Sequence, residues 1–469
     1  MEAHPLTLLR RAAGPGLAMA ASLALGCTAQ GGRSSTASES GPVYSGCAVP
    51  TTGPGRVFYS DPDGGSMAND GTRAHPWGSL SAIVAAGKLP PSASAAVAPG
   101  DTLLLLGGEH GALNLDNAVN SDFVTIAAAP GEHPTLTGIT LYGASHWVFA
   151  GLTVQNLNDG GSVFGVRLSG DDLVLNATII LSQPDVSSWT QADWRHSAIT
   201  AVNAVGHCIA ITDNDILNVA SGIGVSGTNI LVRGNSIDHF GDDGIDFGQG
   251  TGAGTLGNLE ISRNVLRNNL DLGDGNHNDG IQGWVLNGTT GTNVLIDGNL
   301  LIARADPALP WAGAMQGISE FDGAFEGVHI VNNAVIAAAY HGIALYGARN
   351  STIINNTVFG NFVAQNGDVN ETWIGVFAGK DGTAPAGVVV RNNISSVYSL
   401  AAGGVTADHN LTLPDPRGAF LLFDRAGFRY DLEPAPGSVE LGFGSAELAP
   451  DHDLTGAPRV PPITAGAYQ

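Results

Sequence analysis

The segments Ile230-Leu-Val-Arg-Gly-Asn235, Leu259-Glu-Ile-Ser-Arg-Asn264 and Val294-Leu-Ile-Asp-Gly-Asn299 decide the fold. Each is a short β-forming run closed by an asparagine. The same pattern precedes them in Ile209-Ala-Ile-Thr-Asp-Asn214. It follows them in Val328-His-Ile-Val-Asn-Asn333, Thr352-Ile-Ile-Asn-Asn356 and Val388-Val-Val-Arg-Asn-Asn393. Leu175-Asn176 reads as an earlier, weaker member. Recurrence of this kind marks a stacked repeat, in which each unit buries its apolar face only against its neighbours. A polar amide at every turn is costly inside a core unless it is hydrogen-bonded, so the asparagines are expected to stack on one another as a structural ladder.

A second column runs out of phase with the first. It is a Gly-(Ile/Val) pair at Gly165-Val166, Gly222-Ile223, Gly244-Ile245, Gly280-Ile281, Gly317-Ile318, Gly342-Ile343 and Gly375-Val376, with Ala198-Ile199 filling the slot between the first two. The shortest spacings suit one solenoid coil, and the longer ones imply loops inserted at a turn. If the Ile or Val points inward, the next residue faces solvent. The fold expected is all-β, a single-stranded right-handed parallel β-helix over residues 56–469. Length alone would suggest two or three domains, but each added coil of a solenoid extends one core.

Composition agrees. The chain has 469 residues with 66 Gly and only 6% aromatic and 13% charged residues, and it has no Gly-X-Y period, which excludes collagen. Nineteen Lys and Arg stand against 42 Asp and Glu, a net charge of −23. Such a field repels nucleic acid and anionic lipid, and it disfavours anionic glycans unless cations bridge the two.

Both ends of the domain carry further signals. Val57-Phe58-Tyr59 is a short strand, followed by Asp70-Gly-Thr-Arg-Ala-His-Pro-Trp77. Leu80, Ile83 and Val84 then lie at helical spacing, predicting a small helix that caps the first coil entered at Pro99-Gly-Asp-Thr-Leu-Leu-Leu-Leu106. This order resembles that of right-handed parallel β-helix proteins of the pectate lyase-like superfamily, as does the tail Asp451-His-Asp-Leu-Thr-Gly-Ala-Pro-Arg459 ending Gly466-Ala-Tyr468. The resemblance implies fold more than chemistry, because β-helices host lyases, hydrolases, epimerases and binders alike.

Polar and ionisable groups concentrate on the middle repeats. Gly241-Asp-Asp-Gly-Ile-Asp246 places three carboxylates within five residues, which repel unless a cation or protons neutralise them. An all-oxygen cluster suits Ca²⁺. The run is similar to the calcium-binding Asp-Asp-Gly-Phe-Asp motif of one β-helix pectate lyase family, which implies Asp242, Asp243 and Asp246 as ligands; solvated carboxylates of an Asp-Gly turn are the plainer explanation. One repeat later, Asp274-Gly-Asn-His277-Asn278-Asp279-Gly-Ile-Gln282 offers His277 and Asp279 for proton transfer, and Tyr340-His341 shares the stacked columns two repeats further on. Gln282, Gln316 and Arg304 are candidate substrate contacts, with Arg263 a second candidate clamp for a carboxylate. Each of these has an ordinary surface or turn role as its alternative. The pectate lyase pattern uses a lysine base, yet the only lysines here are Lys88 and Lys380, and neither falls on the repeats around Asp246.

Residues 1–27 read as a bacterial export signal: Arg10 and Arg11 close a basic start, and Leu23-Ala24-Leu25-Gly26-Cys27 resembles a lipobox whose Cys27 is lipidated. Residues 28–55 read as a flexible tether. Cys47 and Cys208 then remain, and the sequence leaves their pairing open. The expectation is a monomeric secreted lipoprotein of the cell envelope, touching the membrane only through its anchor. Its leading function is Ca²⁺-dependent lyase action on a uronate-containing polysaccharide. An inverting glycoside hydrolase, a uronate epimerase and a non-catalytic glycan binder are the alternatives.

Overall fold

The computed structural model describes residues 47–48, 50, 55–156, 163–249, 255–286, 288–361, 372–401 and 403–469. The export signal with Cys27, and nearly all of the tether, lie outside them. Among the described residues, strands form a 20-stranded and a 12-stranded sheet, and every pairing in both is parallel. A typical coil contributes a long run, such as Ser221–Arg233, that turns a corner within itself, and then a short strand such as Ser236–Phe240. The antiparallel hairpin Phe420–Asp424 with Arg429–Pro434 follows the last coil.

Register is kept from coil to coil, so like residues stack. Ile139, Val166, Val202, Ile223, Ile245, Ile281, Ile318, Ile343 and Ile374 lie opposite one another in successive coils, all at most 1% exposed. This corrects two members of the expected column. Ala198 is the C-cap of a helix, Gln191–Ser197, inserted before the coil, so Val202 rather than Ile199 takes the slot. At the other end a bulge after His341 brings Ile374, not Val376, opposite Ile343.

The asparagine ladder forms as expected. Asn214, Asn235, Asn264, Asn299, Asn333, Asn356 and Asn393 each donate Nδ2 to the Oδ1 of the next, at 2.8–2.9 Å, and the series ends on Asn410. Asn264 is representative. Its amide also donates to the Val232 carbonyl at 3.0 Å, and its oxygen accepts from both the backbone and the side chain of Asn235. Donors and acceptors are thus satisfied on a fully buried side chain. The residue before each rung turns the chain with a positive φ: Asp213, Gly234, Arg263, Gly298, Asn332, Asn355, Asn392 and His409. Asn176 is not a member. Thr178 occupies the slot ahead of Asn214 and donates its backbone N–H to the Asn214 oxygen, while Asn176 bonds to Thr212.

The ends are sealed. Helix Leu80–Ala85 buries Leu80 and Ile83 over the first coils, and the Ser79 hydroxyl caps its start. Lys88 lies over the Trp77 ring at 4.7 Å. The C-terminal tail folds back along the turn corner: Arg459 donates to Asn332, and Asn355 donates to the carbonyls of Thr464 and Gly466. Arg263 lies beside Gly456 of this tail. Cys47, within the expected tether, is disulfide-bonded to Cys208, and Ala48 donates to Asp172, so the coil flank holds this part of the chain.

Replacing Asn264 or Asn299 by Leu should destabilise the protein by roughly 1–3 kcal/mol for each partner left unpaired. Chemical denaturation of both variants checks this; midpoints equal to the parent's in both would remove the ladder from the account.

Candidate functional site

Insertions build one wall of the site. The helix Gln191–Ser197, the loop 270–278 and the loop 303–315 are extra residues behind three of the long repeat spacings, and they pack together. Trp194, Ala198, Leu270, Leu272 and Leu309 form a small apolar cluster separate from the coil interior. Gln191 and Arg195 donate to the carbonyls of Asp271 and Leu272, and the Gly313 N–H donates to the Asn269 carbonyl. Asn278, almost wholly buried, ties the middle loop down through bonds to Asn269 and Leu270.

Against this wall stand the carboxylates. Strands Ser221–Arg233, Ile245–Gln249 and Asp279–Val285 are neighbours, with Gly224 opposite Asp246 and Asp246 opposite Gln282. Asp242, Asp243 and Asp246 line a cavity of about 150 Å³ together with Thr200, Asn203 and Ser221. Asp243 is buried and accepts the backbone N–H of Asp279 at 2.8 Å; Asp246 accepts the Trp284 indole N–H at 2.8 Å; Asp242 accepts from Ser221 and Asn276. Burial and the neighbouring charges of Asp242, Asp279 and Asp246 push the Asp243 carboxyl up to about 9. Burial raises Asp246 to about 6 and raises Asp242 and Asp279, each against the hydrogen bonds it receives. Four crowded acids in a poorly hydrated place hold protons unless a cation replaces them.

The donor chemistry suits a hard cation: three carboxylates with the neutral oxygens of Ser221, Thr200 and Asn203 around one cavity. These side chains are not gathered into a ready cage, since among the described residues no three Asp, Glu, His or Cys side chains converge in metal-holding geometry.

Proton-handling groups follow on the next coils. His277 Nδ1 lies 3.1 Å from Asp279 Oδ2, and Gln282 donates to the same oxygen at 3.2 Å. Asp279 Oδ1 is buried with no hydrogen bond of good geometry, although the Ser319 hydroxyl is its neighbour. The bond to Asp279 raises the His277 imidazole, whose side chain is 61% exposed. His341 behaves oppositely. It is buried, bonded through Nδ1 to Gln316 and through Nε2 to Tyr346, and burial with the charge of His277 pushes it down to about 4. Tyr340 is 54% exposed, its ring edge-on to His341.

The predicted residues thus gather on one face, except the two arginines: Arg263 sits at the turn corner beside Gly456 of the tail. Arg304 donates to the carbonyls of Asp306 and Pro307 and lies over the Phe428 ring at 4.1 Å, so its guanidinium is committed to the C-terminal hairpin. Lys380 is the opposite case. The loop after strand Trp373–Phe377 brings it to Asp322 at 2.6 Å and close enough to His277 for its charge to be felt there. No repeat position marks Lys380, because a loop rather than a strand delivers it. Trp284 was also missed, though its distance of three from inward-facing Ile281 puts it on the outer face.

A family model described as "Right handed beta helix region" matches residues 137–393. The chain belongs to this right-handed β-helix family. The match spans more than half of the chain and takes in both carboxylate coils. No curated protein sequence matches. Among solved structures the chain is similar to pectate lyase Pel9A (15% identity, TM-score 0.47, covering 91% of this chain and 98% of that one). It is also similar to a rhamnogalacturonan lyase (14%, 0.45, 79% and 92%) and to a GH136 lacto-N-biosidase from Eubacterium ramulus (15%, 0.41, 76% and 67%).

The raised Asp243 carboxyl gives stability a definite pH dependence. The unfolded chain releases this proton near pH 4, whereas the folded protein keeps it to about pH 9. Rising pH therefore favours unfolding across that window, by up to roughly 1.4 kcal/mol per pH unit. In chelator, Asp243→Asn should match the parent near pH 4 and become progressively the more stable towards pH 9. Parallel melting curves for the two proteins over that range would contradict the burial of this acid.

Proposed function

We propose that the protein is an extracellular polysaccharide-degrading enzyme that cleaves a uronate-containing glycan by β-elimination, with Ca²⁺ held by Asp242, Asp243 and Asp246. The observation that carries this reading is the placement of four buried or half-buried carboxylates on two adjacent coils, beside a cavity and a histidine. Ca²⁺ at that cluster would supply charge neutralisation for the substrate carboxylate and so acidify the neighbouring sugar C–H.

The chain's own groups divide the remaining work. Asp279 holds the Nδ1 side of His277, which leaves Nε2 to take the proton from sugar C5. His341 is neutral but weakly basic and bonded on both nitrogens, and its part is to position Gln316 and Tyr346. Tyr340 stands immediately before strand His341–Tyr346, two coils from Asp279, so the leaving oxygen takes its proton from solvent. Lys380 contributes positive charge towards the substrate carboxylate, which offsets part of the repulsion from a chain of net charge −23. We further propose that the enzyme is monomeric and exported, and that it is held at the cell envelope through lipidated Cys27.

An inverting glycoside hydrolase is the second reading. It is favoured by the contrast between Asp243, a carboxyl that keeps its proton to about pH 9, and Asp246 at about 6, an acid and a base in one cavity. Incubation with uronate-containing and neutral polysaccharides, with Ca²⁺ or chelator, separates the two. The lyase reading predicts Ca²⁺-dependent ultraviolet absorbance from an unsaturated uronate, abolished in Asp243→Asn and lowered by at least about a hundredfold in His277→Ala. Reducing ends without that absorbance, unaffected by chelator, would replace it with the hydrolase.

A further inference from the structure

Beyond the carboxylates the same face changes character. Three coils on from Asp246, strand His341–Tyr346 pairs with Trp373–Phe377, and Trp373 in turn stands opposite His341. The rings form a continuous set. Tyr340 and Trp373 are tilted by 38° with centroids 6.0 Å apart, Tyr346 and Phe377 by 34° at 5.0 Å, and Trp373 meets Phe377 at 5.1 Å. Tyr340 is more than half exposed, and Trp373, Tyr346 and Phe377 are only partly buried. The three strands Gln316–Asp322, His341–Tyr346 and Trp373–Phe377 contain no Arg or Lys.

We infer that Tyr340 and Trp373, with Tyr346 and Phe377 behind them, form a stacking subsite for an uncharged sugar unit two to three coils from the cleaved bond. The inference rests on the proposed reading of this face as a glycan site, and it narrows the substrate to a mixed polysaccharide rather than a uniform polyuronate. Coils repeat at about 4.8 Å, close to the length of one pyranose unit, so a glycan laid along the helix axis meets one coil per sugar. From the Asp279 coil to the Tyr346 coil is two steps, roughly 10 Å, and Trp373 lies one step further. A pyranose presents an apolar C–H face that stacks on an aromatic ring, whereas a carboxylate laid on these rings would lose its water, and Lys380, three residues beyond Phe377, is bonded to Asp322 on the His277 side. The occupant is therefore a neutral unit.

Calorimetric titration of the whole chain tests this with neutral hexasaccharides of glucose, xylose and mannose and with an oligogalacturonate of equal length. At least one neutral hexasaccharide should bind the parent, and Tyr340→Ala should weaken that binding by roughly tenfold. Tyr340 is exposed enough for the variant to fold. Trp373→Phe should keep the packing and lose the tryptophan fluorescence change on binding. Neutral ligands that fail to bind the parent, or that bind Tyr340→Ala as tightly, would overturn the subsite. Because the readout is binding, the subsite and the enzymatic reading fail separately: an inactive protein that binds through Tyr340 keeps the subsite while losing the lyase.

Discussion

The stacked asparagine amides are the constraint on which the rest of this structure depends. From Asn214 to Asn393 each ladder member is buried, and each can satisfy its amide only if the next coil places its own asparagine directly above. A coil displaced by one residue would leave a donor and an acceptor unpaired in an apolar interior, at a cost comparable to a sizeable share of a domain's net stability. The ladder therefore acts as a register pin. The apolar stack from Ile139 to Ile374 supplies the burial energy, but Ile, Val and Leu would tolerate small slips that asparagine does not.

Strict register has a functional consequence on the opposite side of the same strands. If Ile245 must lie beneath Ile281, then Asp246 must lie beneath Gln282, and Asp243 must stand by the backbone of Asp279. Carboxylates that would separate in a flexible loop are held together, and the raised pKa values are the electrostatic sign of that enforced crowding. The insertions deepen the effect. Loop 270–278 carries His277 and Asn276 onto the acids, and helix Gln191–Ser197 and loop 303–315 brace it through Leu272, Arg195 and Gly313. A regular scaffold, three loops on one flank and a column of outward side chains together frame the cavity at Asp242, Asp243 and Asp246.

The sequence was informative wherever chemistry repeats. The ladder from Asn214 to Asn393 and the inward column from Ile223 to Ile343 were legible because period and residue type agree. Asn410 obeys the same rule and was readable too. Errors came where an irregularity intervenes: the helix before Val202 displaced the Ala198-Ile199 assignment, and the bulge after His341 displaced Gly375-Val376. Asn176 failed because Thr178 can offer its backbone N–H in the same slot. At the site, the acids and histidines were legible as outward residues of adjacent repeats, but their pairing of roles was not. That His277 leans on Asp279 while His341 is locked between Gln316 and Tyr346 depends on loop path and depth, as does the arrival of Lys380. Arg304 looked free in sequence and is held by carbonyls and Phe428.

In the function proposed above, a glycan lies lengthwise across successive coils, with its reacting bond at the two carboxylate coils. A crystal structure of Asp243→Asn with a bound hexasaccharide tests it most directly. The predicted result is one saccharide unit per coil, running from the cavity at Asp246 past His277 to Tyr340 and Trp373. A glycan bound across the coils, or on any other face of the helix, would contradict it.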